Sequence, residues 1–265
     1  MKKLLFTLAL AAFAGVGVAN AQIKIGGKSI NTQKVVNAAS DAHKAYTLTD
    51  ADVAALCREA VEWMDENNPI ADETTDYGQR LARLTANLKQ VEGIPLNFKV
   101  YHVIDVNAFA CGDGSIRVFS SLMDIMDDDE LMAIIGHEIG HVVNADTKDA
   151  MKTAYKASAL KNAAGAVDGS KLAKLSNSEL GDLALALTDS QFSQKQEFAA
   201  DEYGFKICVE NGYSPYGMAN SLQKLVDLFE SGGEKSSVVQ KMFSTHPDSK
   251  NRAARMRVKA DSYDK

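Results

Sequence analysis

Apolar positions recur three and four residues apart through most of the chain, a spacing that predicts a mainly helical protein. After Thr49, which fits an N-cap, Val53, Leu56, Cys57, Ala60 and Met64 share one helical face, and Asn67-Asn68-Pro69 ends the run. A second amphipathic helix places Tyr77, Leu81, Leu84 and Leu88 on one stripe and stops before Gly93-Ile94-Pro95. The period then falls to two. Residues 97–104 alternate as a strand, Ala108-Phe109-Ala110 extends the pattern, Gly112-Asp113-Gly114 turns, and residues 116–119 return as the partner. This predicts a small antiparallel sheet. A short helical turn at residues 122–126 leads to Asp127 and Glu130, which have capping-box spacing, and to a helix whose Leu131, Ile134 and Ile135 make an apolar face.

Beyond that helix, residues 147–187 are rich in Ala, Lys and Ser and read as two helices around a joint near residues 165–170, either a lid or an exposed hairpin. A further helix runs from about Asp189 to Val209, and Ser214-Pro215 starts another that continues to about Phe229. A glycine-containing loop from Ser231 then reaches Thr245-His246-Pro247, and a last basic helix covers residues 251–259. With no internal repeat and no composition break, residues 46–265 read as one α+β, mainly helical domain, preceded by a loosely attached arm at 22–45.

The first 21 residues are of another kind. Lys2-Lys3, an apolar run from Leu4 to Val18 and Ala19-Asn20-Ala21 form a secretory signal peptide with a small-x-small cleavage site, and no cysteine follows for lipidation. Its removal takes the formal net charge from −6 to −8, a balance that argues against nucleic acid and anionic membrane as partners. No other apolar run reaches the length needed to span a bilayer. An exported chain meets an oxidising compartment, where Cys57, Cys111 and Cys208 read either as one disulfide, Cys57–Cys111, plus a buried thiol, or as three buried thiols.

The candidate chemistry is His137-Glu138-Ile139-Gly140-His141. Positions i and i+4 share a helix face, so both imidazoles can bind one metal ion, and Glu138 beside them can take a proton from an activated water. A catalytic zinc needs a third protein ligand. His246 and Glu197 are the candidates, and Asp201, one turn after Glu197 among Phe198, Ala199, Ala200 and Tyr203, can accept a hydrogen bond from a ligand histidine. His43 and His102 have no such company and read as structural.

Taken together, the HExxH residues, Glu197-x-x-x-Asp201, Thr245-His246-Pro247 followed by Arg252, Asn107-Ala108-Phe109-Ala110 and Phe192-Ser193-Gln194 resemble the HtpX and CAAX-prenyl-protease family of zinc metallopeptidases, in its soluble envelope branch. The likeness covers roughly residues 45–258. It implies a zincin-like domain with one zinc ion per chain on His137, His141 and Glu197, Glu138 as general base and Asp201 supporting a ligand. It also implies a substrate strand paired with Asn107–Ala110, and His246 and Arg252 stabilising an oxyanion or holding substrate backbone. The expected activity is hydrolysis of peptide bonds in unfolded or misassembled proteins, in the periplasm, with a link to outer-membrane assembly components. The lack of a membrane helix and of a lipidated cysteine departs from parts of that family. A second reading keeps the zinc but closes its fourth position with His246, giving a latent protease or an envelope chaperone with a structural metal.

Overall fold

The computed structural model describes residues 22–25, 28–31, 49–153 and 177–263. The signal-peptide segment, His43 and the joint near 165–170 lie outside the described residues. In the arm, β1 (Gln22–Ile25) pairs antiparallel with β2 (Lys28–Asn31).

Helix α1 (Asp50–Asn67) begins where its sequence demands: Thr49 accepts from the Asp52 N–H while Asp52 bonds back to the Thr49 N–H. Helix α2 (Asp76–Leu84) is capped by Thr75. Four strands make the main sheet, namely β3 (Ile70–Ala71), β6 (Asn97–Tyr101), β7 (Ala108–Ala110) and β8 (Ser115–Phe119), in the order β3-β6-β8-β7. Between α2 and β6, β4 (Gln90–Val91) and β5 (Ile94–Pro95) close a tight hairpin.

The expectation of an antiparallel sheet needs correction, because the sheet is mixed. Strands β6 and β8 run parallel, with Asn97 opposite Ser115 and Tyr101 opposite Phe119; only β7–β8 and β3–β6 are antiparallel. After β6 the chain passes over β8 before returning as β7, so the tight turn at Cys111–Gly114 joins β7 to β8 rather than extending β6. Gly114 holds φ at +89°, and a Cβ there would sit 2.1 Å from the Pro95 carbonyl oxygen. The period of two still sets the packing. Tyr101, Phe109 and Phe119 face α1 in one buried cluster, with centroids 5.9 to 6.3 Å apart. Val100, Ala108, Ala110, Ile116 and Val118 face the other way, into a second cluster with Leu131, Ile135 and Ile139.

Those last residues belong to α4 (Asp128–Val143), which follows the short α3 (Ser120–Ile125) and carries the predicted Asp127–Glu130 capping box. It is buried on nearly all sides. Residues 146–153 are helical again, and α5 (Asn177–Thr188) packs on the α1 side. Helix α6 (Gln194–Glu210) starts five residues later than its pattern implied, at a Ser193–Gln196 capping box. It lies hard against α4: a Cβ on Gly140 would meet the Ala200 Cα at 2.9 Å, and one on Gly204 the Ala133 carbonyl oxygen at 2.7 Å. Helix α7 (Gly217–Glu230) begins after a Ser214 turn instead of at Pro215. The expected loop after Ser231 is mostly helix, α8 (Gly233–Thr245), because Val239 and Met242 give it a buried face. Helix α9 (Ser249–Asp261) closes the described chain. No described helix is long and apolar enough to cross a membrane.

All three cysteines are buried free thiols, so the expected Cys57–Cys111 bridge is not formed. The two side chains do meet. Burial, reinforced by the hydrogen bond with Cys57, pushes the Cys111 thiol well above its ordinary value and keeps it protonated.

Candidate metal centre and active site

Helix α4 brings His137 and His141 onto one face with their Nε2 atoms 3.1 Å apart. Each ring is turned by a carboxylate at its far nitrogen: Asp201 lies 3.0 Å from His137 Nδ1, and Asp146 lies 3.0 Å from His141 Nδ1. An Nδ1–H donated to a carboxylate leaves the Nε2 lone pair free, which is the tautomer a metal ligand needs. The close α4–α6 approach then delivers Glu197, fully buried, with Oε1 3.5 Å from His141 Nε2 and Oε2 3.7 Å from His137 Nε2. From the α8–α9 junction His246 adds its Nδ1, 3.3 Å from His137 Nε2 and 3.1 Å from Glu197 Oε1.

These spacings test whether a metal fits. Ligand atoms about 2.05 Å from a tetrahedral ion stand about 3.3 Å from one another. The five separations given lie between 3.1 and 3.7 Å, and all four ligand atoms fall within 4.8 Å of one another. The donor set, two or three imidazoles and one carboxylate, suits zinc or a neighbouring transition metal. The residues fit.

The electrostatics agree with that division of labour. Burial lowers His137 to about 4, against the pull of Asp201. For His141 burial acts downward too, but Asp146 and Glu197 outweigh it and the ring rises to about 9. Burial would raise Glu197, yet the neighbouring histidines and Arg252 hold its carboxyl well below the usual range. Asp201 is held at about 2 by the Arg252 guanidinium despite its burial. Glu138 moves the other way: burial raises it, its Oε1 has no hydrogen-bond partner, and His246 Nε2 stands 3.8 Å away.

Glu138 opens onto a narrow cleft walled by Asn107–Ala110, Thr147, Ala150, Leu187, Phe192 and His246. The Phe192 ring stacks on His141 at 3.9 Å and its N–H donates to the Thr245 carbonyl. Strand β7 is the edge of the sheet here. The Asn107 carbonyl and the Cys111 N–H point to β8, so by alternation the N–H and C=O groups of Ala108 and Ala110 point away from it.

Arg252 departs from the implied place. It is 1% exposed, chelates Asp201 through Nε (2.8 Å) and Nη2 (2.6 Å), and forms an ion pair with Glu197. It lines an inner cavity with Ile134, His137, Met218, Leu222 and His246, and is not among the residues that wall the cleft. A buried guanidinium between two buried carboxylates is fixed there by its charge. His102 sits away from the centre, edge-on to Tyr77 at 5.7 Å.

Sequence reasoning missed Asp146 and Gln196. Gln196 donates to Asp146 at 2.8 Å while accepting from Ser193, so the α6 cap is continuous with the His141 support. The available signal was weak: an acid five residues after His141, just past a helix end. It reaches the ring because Ala145 adopts φ +60° and reverses the chain at once.

Comparison with known proteins matches residues 74–260 to the model of peptidase family M48. The chain is 40% identical over 243 residues to the metalloprotease LoiP of Escherichia coli K12, covering 91% of this chain and 94% of that protein. It is 36% identical over 256 residues to the metalloprotease YcaL of the same strain, covering 96% of both. A more distant match is the beta-barrel assembly-enhancing protease of E. coli K12, 28% identical over 207 residues, which cover 72% of this chain and 40% of that one. The HExxH helix, the Glu197 carboxylate that α6 sets beside it and this breadth of similarity lead to one conclusion: the chain is a metalloendopeptidase belonging to peptidase family M48.

Proposed function

We propose that the metal is a single zinc ion and that the chain hydrolyses peptide bonds within unfolded or misassembled proteins of the cell envelope. The observation that carries this is the convergence of His137, His141 and Glu197 at tetrahedral spacing beside Glu138 and the free edge of β7. Zinc held by those three side chains would supply a Lewis acid that makes water more acidic and polarises the scissile carbonyl. Glu138 Oε1, unpartnered and raised by burial, takes the proton of the attacking water and passes it to the leaving amine. An extended peptide pairs with Ala108 and Ala110 of β7 as an added strand, so main chain is read more than side chain. Phe192 and the α8–α9 junction keep bulk water from His141 and His246. Arg252 and Asp201 orient Glu197 and His137 from behind.

The signal-peptide reading of residues 1–21 supports a periplasmic setting. The name of the beta-barrel assembly-enhancing relative supports a link to outer-membrane assembly.

A second reading is favoured by His246, whose Nδ1 stands at the fourth corner of the ligand set. There it acts as a latch that must leave before water can enter. Counting protein ligands by X-ray absorption on the zinc-loaded protein separates the two: four ligands support the latch, three with a water support an open site.

The main test is Glu138→Gln, with zinc content and cleavage of reduced, alkylated casein measured together. Full zinc with cleavage reduced by at least about a thousandfold is expected, the loss of general-base catalysis. A variant that keeps its metal and cleaves at the wild-type rate overturns the mechanism.

A further inference from the structure

Thr147 is 3% exposed, and its Oγ1 is fully buried with no hydrogen-bond partner among the described residues. A threonine in a helix's first turn ordinarily satisfies its hydroxyl against nearby backbone. Buried polar groups left unpaired are rare in folded proteins and call for a reason. This one lines the same cleft as Glu138. So does Asn107, 1% exposed, whose Oδ1 is also buried and unpartnered. Two unmet polar atoms thus share a cleft with an unmet Glu138 oxygen.

The position of Thr147 is tightly determined. Ala145 holds φ at +60°, and Asp146 is anchored to both His141 and Gln196. The next peptide bond therefore sets Thr147 in fixed relation to a metal ligand. Ala150, three residues on and so on the same helical face, lines the cleft as well and takes little room.

We infer that Thr147 is a substrate-binding residue, its hydroxyl hydrogen-bonding the main chain of the peptide beside the scissile bond. The inference rests on the peptidase reading above and adds a residue to it. A hydroxyl can donate to a carbonyl and accept from an N–H, so it serves any peptide group regardless of side chain. Asn107 Oδ1 can only accept, which restricts it to an N–H. Together with the outward-facing groups of Ala108 and Ala110, the cleft offers polar contacts to an extended chain from the sheet edge and from helix 146–153.

The test compares zinc-loaded wild type, Thr147→Val and Thr147→Ser on an internally quenched extended peptide. The same peptide is also made with each amide flanking the scissile bond replaced in turn by an ester. Thr147→Val should raise KM roughly five- to tenfold, the worth of one hydrogen bond. Thr147→Ser should stay within about twofold of wild type on the same scale. The difference between wild type and Thr147→Val should vanish for one ester peptide where the hydroxyl accepts from an N–H, and persist for all of them where it donates to a carbonyl, which the ester retains. The Thr147→Val thermal midpoint should not fall, since no protein partner is lost. The inference is overturned by kinetic constants of Thr147→Val within twofold of wild type, or by a lowered midpoint. If the zinc-loaded wild type cleaves none of the peptides, it is the peptidase reading that fails.

Discussion

His141 is oriented by a residue that is not on its own helix. Asp146 meets its Nδ1 at 3.0 Å, and Gln196 steadies Asp146 at 2.8 Å. Outer hydrogen bonds of this kind set both tautomer and basicity, and their loss weakens metal binding by 10- to 100-fold. Asp146→Ala should therefore bind zinc more weakly by that factor, and Gln196→Ala by less, as read by competition with a chromophoric chelator. Unchanged affinity in Asp146→Ala would show that the ring needs no such partner. The contrast with the other site residues explains what the sequence could reveal. His137, Glu138 and His141, like Glu197 and Asp201, sit inside continuous helices, where a spacing of four residues is already a statement about one face. Asp146 and Thr147 depend on a left-handed Ala145 that no spacing announces. Arg252 could be identified by its motif, but where its side chain goes is decided by which carboxylates surround it, and both of those, Glu197 and Asp201, come from α6.

At the level of elements, the helices other than α8 were legible and the sheet's direction was not. Alternation identified β6, β7 and β8, but β3, β4 and β5 are two residues each and too short to show it, and a period of two is the same for parallel and antiparallel neighbours. The crossover from β6 to β7 left no local mark. What ties the sheet to α1 is Asp65, whose two oxygens accept from Arg117 (2.8 and 2.9 Å), Lys99 (2.7 Å) and Tyr101 (2.7 Å). Arg117 is 2% exposed, and its third nitrogen donates to the Asn97 and Ile116 carbonyls. Removing one partner of a buried ion pair leaves the other uncompensated, at a cost of about 3 kcal/mol. Asp65→Asn should lower stability by about that much at pH 7. Burial acts to raise Asp65, but Arg117, Lys99 and Tyr101 outweigh it and lower its pKa. A carboxyl lowered in the folded state contributes fully above its unfolded pKa of about 4 and loses that contribution as pH falls through the folded value. The gap between wild type and Asp65→Asn in urea should thus be widest near neutrality and narrow as pH falls below the unfolded carboxyl value. A gap independent of pH would mean that the amide perturbs packing and not charge.

Across the whole molecule, the two apolar clusters on either side of the sheet do not depend on the ligands, whereas the centre between α4, α6 and α9 carries a charge imbalance. Glu138, Asp146, Glu197 and Asp201 are all buried there against the guanidinium of Arg252 and, without metal, the protonated ring of His141. A divalent ion would supply compensating charge, and buried carboxylates are costly where that charge is short. The fold should survive chelation with a lowered midpoint. A ligand present at 100 to 1,000 times its Kd stabilises by about 3–4 kcal/mol, so the midpoint should fall by roughly 5–15 °C. The pH dependence is distinctive. In the metal-free protein His141 is raised to about 9, because Asp146 and Glu197 overcome the downward effect of burial. A histidine raised above its unfolded value of about 6.5 contributes stability that is complete below pH 6.5 and lost as pH rises through 9. Chelated protein should therefore lose stability between pH 7 and 9, by up to about 3 kcal/mol, as the proton leaves His141 among buried carboxylates. Zinc-loaded protein, with that nitrogen occupied, should change little over the same range. Calorimetry of both forms from pH 6 to 9 measures the two slopes; parallel slopes would show that His141 is not the group that exchanges a proton for the metal.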